Sequence, residues 1–104
     1  MAHEVIEKHS SVEQLHEVDF TEDLPDDTSI SAGSAVSAVD SSGVAASAVV
    51  GTVSQTGMKL RCVLQGGEDG EDYLFTFLGR GTTTSRDACR MVEMRVRDKQ
   101  LGTL

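Results

Sequence analysis

With 104 residues the chain forms one domain at most. A net charge of −8, no tryptophan and only Phe20, Phe75, Phe77 and Tyr73 as aromatics limit it to a modest core. Val, Ala, Ser, Thr and Gly dominate, which favours strands and turns and predicts an all-β protein. The amino end, MAHEVIEKHS, lacks a basic flank followed by an apolar run, and no stretch of about 18 apolar residues occurs. Neither a signal peptide nor a membrane span is expected, and the chain is expected to stay in a cytosol.

Charge is unevenly distributed. Met1 to Asp27 holds nine acids against one base, Lys8, so the whole net charge sits in the first quarter, while acids and bases balance beyond it. Nucleic acid is not an expected partner for so acidic a segment. Two readings of it stand: a solvated stretch, or an arm that docks on a basic neighbour through Glu13, Glu17, Asp19, Phe20, Asp23 and Leu24. His3, His9 and His16 fall in the same segment and are expected to face solvent. Cys62 and Cys89 form no CxxC and no histidine follows Phe20, so no metal ligand set is expected.

In chain order, Ser11 with Gln14 three residues on predicts a capped helical turn, with Val12 and Leu15 on one side. HEVDF then alternates, predicting a short strand near His16 to Phe20 with Val18 and Phe20 on one face. TEDLPDD breaks it, since proline fixes its own φ and disfavours helix at Leu24. The boundary between an acidic N-terminal arm, residues 1–27, and a globular part, residues 28–98, is placed there, with residues 99–104 as a C-terminal tail. From Thr28 to Gly57 the chain is nearly uncharged. Gly33, Gly43, Gly51 and Gly57 recur too closely for ordinary helices, so the alanines of Val44 to Val50 do not predict one. Short strands separated by turns at Asp40 to Gly43 and Ser54 to Gly57 are expected.

The carboxyl half alternates more strictly. MKLRCVLQ places Met58, Leu60, Cys62 and Leu64 on one face; YLFTFLGR does the same for Tyr73, Phe75 and Phe77, and RMVEMRVR for Val92, Met94 and Val96. All three read as strands, the last two joined by a polar hairpin with its tip around Ser85 to Asp87 and exposed contacts at Thr83, Thr84, Ser85 and Arg86. Cys62 has the apolar phase and Cys89 the charged one, which predicts free thiols.

Between Leu64 and Tyr73 the chain must reverse and cross. Gly66, Gly67 and Gly70 permit positive φ there, and the acids keep the connection in water. A tyrosine opening the next strand is the pattern of a tyrosine corner, whose hydroxyl bonds backbone a few residues upstream in an immunoglobulin-like antiparallel β-sandwich. EDGED lacks the spaced ligands of a calcium loop, its acids share no apolar pocket that would make a catalytic pair, and no G-K-[ST] follows the glycines. No catalytic residue, metal or cofactor is expected.

The chain resembles small virion proteins of tailed bacteriophages. The resemblance rests on HEVDFTEDL with DTSIS, a glycine- and serine-rich middle, and LRCVLQGGEDGEDYLFTFLGRGTTTSRDACRMVEMRVRD, and runs from about Val18 to Asp98. It sets Asp19, Phe20 and Leu24 on the family's opening motif, Gly66 and Gly67 on its double glycine, Tyr73 and Thr76 on its corner strand, and Thr82 to Ser85 on its hairpin. It implies an immunoglobulin-like fold and a non-enzymatic structural role in the neck or head–tail connector. There the chain would be an adaptor joining connector or tail to fibres or neighbouring virion proteins, in multiple copies in a ring, without nucleic acid or membrane as partner. The alternatives are a capsid decoration or host-surface-binding module, and, from another class, a small enzyme or metal protein.

Overall fold

Alternation in the carboxyl half does produce strands whose every second side chain is buried. The computed structural model describes residues 4–98. It contains seven strands: β1 (Glu4–Lys8), β2 (Gln14–Asp19), β3 (Ala35–Asp40), β4 (Val50–Thr56), β5 (Lys59–Leu64), β6 (Asp72–Arg80) and β7 (Asp87–Val96). One turn of 3-10 helix, Ser47–Val49, precedes β4. The strands form two sheets, ordered β1-β7-β6-β3 and β2-β5-β4. The protein is an all-β sandwich.

The core lies between the sheets. Leu60, Cys62 and Leu64 from β5 face Phe75 and Phe77 from β6 and Val92, Met94 and Val96 from β7, all essentially without solvent exposure. Each such aliphatic or aromatic side chain contributes about 1.5–3 kcal/mol by leaving water. β4 meets β5 through Gly57 and Met58, with Gly57 at φ +60°, the sign that a tight hairpin needs at its first central residue. The turn expected at Ser54 to Gly57 therefore falls two residues later, because Thr56 still pairs with Lys59. The β6–β7 loop likewise runs from Gly81 to Arg86, and Asp87 already pairs with Arg80 in the strand.

The expected boundary at residue 27 is not present. β1 pairs with β7 in parallel, from Glu4 beside Val92 to Lys8 beside Val96, and β2 pairs antiparallel with β5. Val18, Phe20 and Leu24 are buried, Phe20 completely. Residues 4–27 are thus part of the sandwich rather than an extended arm. Glu17 and Asp19 occupy the outward phase of β2 and Glu4 and Glu7 lie exposed on β1, where charge is solvated, while Val18 and Phe20 turn inward. The capping pair at Ser11 and Gln14 is also not helical. The Val12 N–H bonds to the His9 carbonyl at 3.1 Å in a turn joining β1 to β2, and Gln14 begins β2. The expected tail, residues 99–104, lies outside the described residues, as does His3.

Candidate functional site

At one end of the sandwich the stretch after β5 folds as a corner. The Tyr73 ring is buried and its hydroxyl accepts a hydrogen bond from the Glu68 N–H at 3.1 Å. Gly67, at φ +91°, lies against that ring: a Cβ there would stand 3.0 Å from Tyr73 Cε2 and 2.7 Å from Val96 Cγ2. Gly66 and Gly70 also have positive φ, with open space around them. Lys8, the one base of the acidic quarter, closes this end from β1. It is 1 % exposed, and its ammonium donates to the carbonyls of Gly66 and His9, both at 2.8 Å. Burial pulls the Lys8 pKa below its ordinary range, opposed by the charges of Asp98 and Glu13. The corner's acids have separate partners. Asp69 accepts from the Asp98 N–H, Glu71 from the Ser41 hydroxyl, and Asp72 from Arg97.

At the other end, the loop after β2 crosses from one sheet to the other. Phe20 packs on Gly79, where a Cβ would come within 2.7 Å of its ring, and Asp23 takes a two-point contact from Arg90 at 2.7 and 2.8 Å. Asp27, 6 % exposed, accepts from the N–H groups of Thr83 and Thr84 at 2.8 and 3.1 Å and from the Thr84 hydroxyl at 2.6 Å. These bonds, the Thr84 hydroxyl foremost, hold the Asp27 carboxyl below its ordinary pKa.

The residues expected to bind a partner through an arm therefore do not gather into a contact surface. Phe20 and Leu24 are core, and Asp23 ties the sheets together. Glu17 pairs with Arg61 at 2.7 Å, Asp19 accepts from the Thr21 N–H, and Glu13 is exposed in the turn before β2, near enough for its charge to act on Lys8. Of the hairpin residues, Thr83, Ser85 and Arg86 are exposed, while Thr84 is drawn onto Asp27. His16 also departs from expectation. Its ring is 13 % exposed in the side chain, stands edge-on to Phe77, and has Nε2 3.2 Å from Glu4. Cys62 and Cys89 are free, the first buried and the second exposed.

A surface that the sequence pattern did not single out lies on the outer face of the four-stranded sheet. Residues paired across strands share a face, so the register defines three adjacent rows. They are Ala35–Leu78–Cys89, Ser37–Thr76–Met91, and Val39–Leu74–Glu93–Val5. Met91 and Val5 are each 47 % exposed. Glu93, the one charge in these rows, is met by Arg95 at 2.9 Å; beyond the rows, Arg80 pairs with Asp87 and Arg97 with Asp72, both at 2.7 Å. An apolar and hydroxyl-bearing centre with an ion-paired rim has the make-up of a protein-binding surface. The outer face of the other sheet is different, carrying Glu17 beside Arg61 and Asp19 beside Lys59.

Comparison of the chain with family models, curated proteins and solved structures finds no match.

Between the edge strands β3 and β4 lies a groove of about 340 Å³ lined by Val36, Ser37, Ala38, Ala45, Ser47 and Val50. Among the described residues no three His, Cys, Asp or Glu side chains are grouped so as to hold a metal ion. The outer face had a readable signal: YLFTFLGR is apolar in both phases, Tyr73, Phe75 and Phe77 in one and Leu74 and Leu78 in the other. Such a strand has two faces to cover.

Proposed function

We propose that the chain is an immunoglobulin-like, non-enzymatic structural module of a tailed-bacteriophage virion. In this reading it acts in the neck or head–tail connector region as an adaptor joining connector or tail to fibres or neighbouring virion proteins. The observation that carries a binding role is the apolar outer face of the four-stranded sheet, framed by ion pairs and built on the most regular strands of the molecule. Strand order supports the fold. With β2 to β7 taken as strands B to G, the orders β2-β5-β4 and β3-β6-β7 are those of B-E-D and C-F-G, and Tyr73 opens strand F at the E–F corner. β1 departs from the constant-type pattern by joining the strand-G edge. The place in the particle rests on the resemblance of the sequence to small virion proteins alone.

Antibody or gold labelling of particles tests the reading. Signal at one vertex, at the junction of head and tail, is the expected result. Signal distributed over the head identifies a capsid decoration module instead, and absence of the chain from purified particles overturns both.

A further inference from the structure

Each copy of this chain carries a net charge of −8, and nine of its acids lie in residues 1–27, so most approaches of one copy to another are repulsive. The outer face of the four-stranded sheet is an exception. Its three central rows contain one carboxylate, Glu93, held by Arg95; the flanking Arg80, Asp87, Asp72 and Arg97 pair among themselves, and Glu7 stands beside Arg95 at the β1 edge. Against the −8 of the whole chain this face is close to balanced, four acids against three bases, so two such faces meet with little repulsion. They bury Met91 and Val5, which are otherwise exposed, and complete the burial of Leu74, Leu78 and Val39, which are half-buried in the single chain.

We propose that this face is where a second copy of the chain docks, in a face-to-face pairing of the two four-stranded sheets. The proposal deepens the adaptor reading by naming the partner of that surface. The two patches are identical, so a two-fold pairing is self-complementary. Sheets stacked in this way lie ~10 Å apart with their side chains interleaved, and alternating large and small residues such as Met91 beside Thr76 and Leu78 beside Ala35 suit that packing.

Size sets the strength. Ten residues, in rows about 7 Å apart on strands about 4.8 Å apart, give roughly 300–400 Å² per copy. That is less than half of the ~800 Å² per partner typical of a stable complex. The pairing is therefore weak in dilute solution, with a dissociation constant on the order of 0.1–1 mM, and becomes substantial where copies are held side by side on a common platform.

Sedimentation of the purified chain over rising concentration tests this. The wild type is expected to shift reversibly from monomer to dimer at millimolar concentration. Met91→Glu, which adds a charge in the central row of the face, is expected to weaken the dimer at least tenfold. Leu15→Glu, at a residue 61 % exposed on the opposite sheet, is expected to leave it unchanged. Circular dichroism confirms that each variant is folded; should Met91→Glu unfold, Ser37→Glu, an exposed position in the same row, replaces it. A wild type that stays monomeric overturns the proposal, as does a dimer broken by Leu15→Glu and not by the face variants. Cross-linking through Cys89 to a different virion protein, with the purified chain monomeric, assigns the face to that protein and also overturns it. Particle labelling is read separately: recruitment of a monomeric chain to the head–tail junction leaves the adaptor reading standing, whereas a dimer absent from particles removes that reading and keeps the pairing.

Discussion

A methyl group at Gly67 has no room. It would collide with Val96 and the Tyr73 ring, at a backbone φ of +91° that side chains rarely adopt. Gly67→Ala is therefore expected to cost on the order of 2–4 kcal/mol, from strain and overpacking together. Gly66→Ala and Gly70→Ala, where the added atom meets nothing within 4 Å, should cost only the backbone strain. Urea midpoints of the three variants check the ranking. Tyr73→Phe removes the acceptor of the Glu68 N–H, which water can reach at this exposed residue, and is expected to cost about 0.5–1.5 kcal/mol. Asp27 gives the corresponding prediction for pH. Its folded pKa is depressed below the ordinary 3.8, so its bonds to Thr83 and Thr84 contribute fully above that value and are lost as pH falls through the lower, folded pKa. Asp27→Asn should lower stability at neutral pH and flatten the decline below about pH 4, measured as thermal midpoints across an acid series.

At the scale of elements, β1 and β2 supply the sharpest test, because one lies in each sheet. Removing residues 1–20 is expected to abolish folding, seen as loss of the far-ultraviolet strand signal and of a cooperative urea transition. It strips β5 of a neighbour and takes Phe20 out of the core, where loss of a buried phenylalanine alone costs about 3–5 kcal/mol. The strands after Met58 and the corner at Tyr73 were legible in the sequence because alternation, glycine placement and a lone tyrosine all point the same way there. β2 was legible as a strand but not as a member of the sandwich: Glu17 and Asp19 gave the segment its acidic character while Val18 and Phe20 determined where it went. β1 was missed, since EVIEK alternates weakly and its pairing with β7 spans nearly the whole chain, a relation that no local pattern encodes. The apolar outer face was half legible, in the second apolar phase of β6, but its rows depend on register across four strands, and register appears only when they pair.

For the molecule as a whole, charge and pairing oppose each other. Copies bearing −8 repel, so self-association at neutral pH is expected to strengthen as added salt screens that repulsion, and again as pH is lowered toward the isoelectric point of about 4.6. Sedimentation at two salt concentrations measures the effect; weakening with salt would mean that the contact is ionic rather than apolar. The parallel run of β1 beside β7 has a mechanical consequence. β1 begins next to Val92 and β7 ends at Val96, beside Lys8, so a pull applied at the start of β1 and the end of β7 slides these strands along each other instead of unzipping them. The bridging bonds then carry the load together and must break nearly at once, whereas peeling would part them singly. A sandwich threaded in this way resists stretching best along the direction of these two strands, and tension applied across that direction should open it at a much lower force.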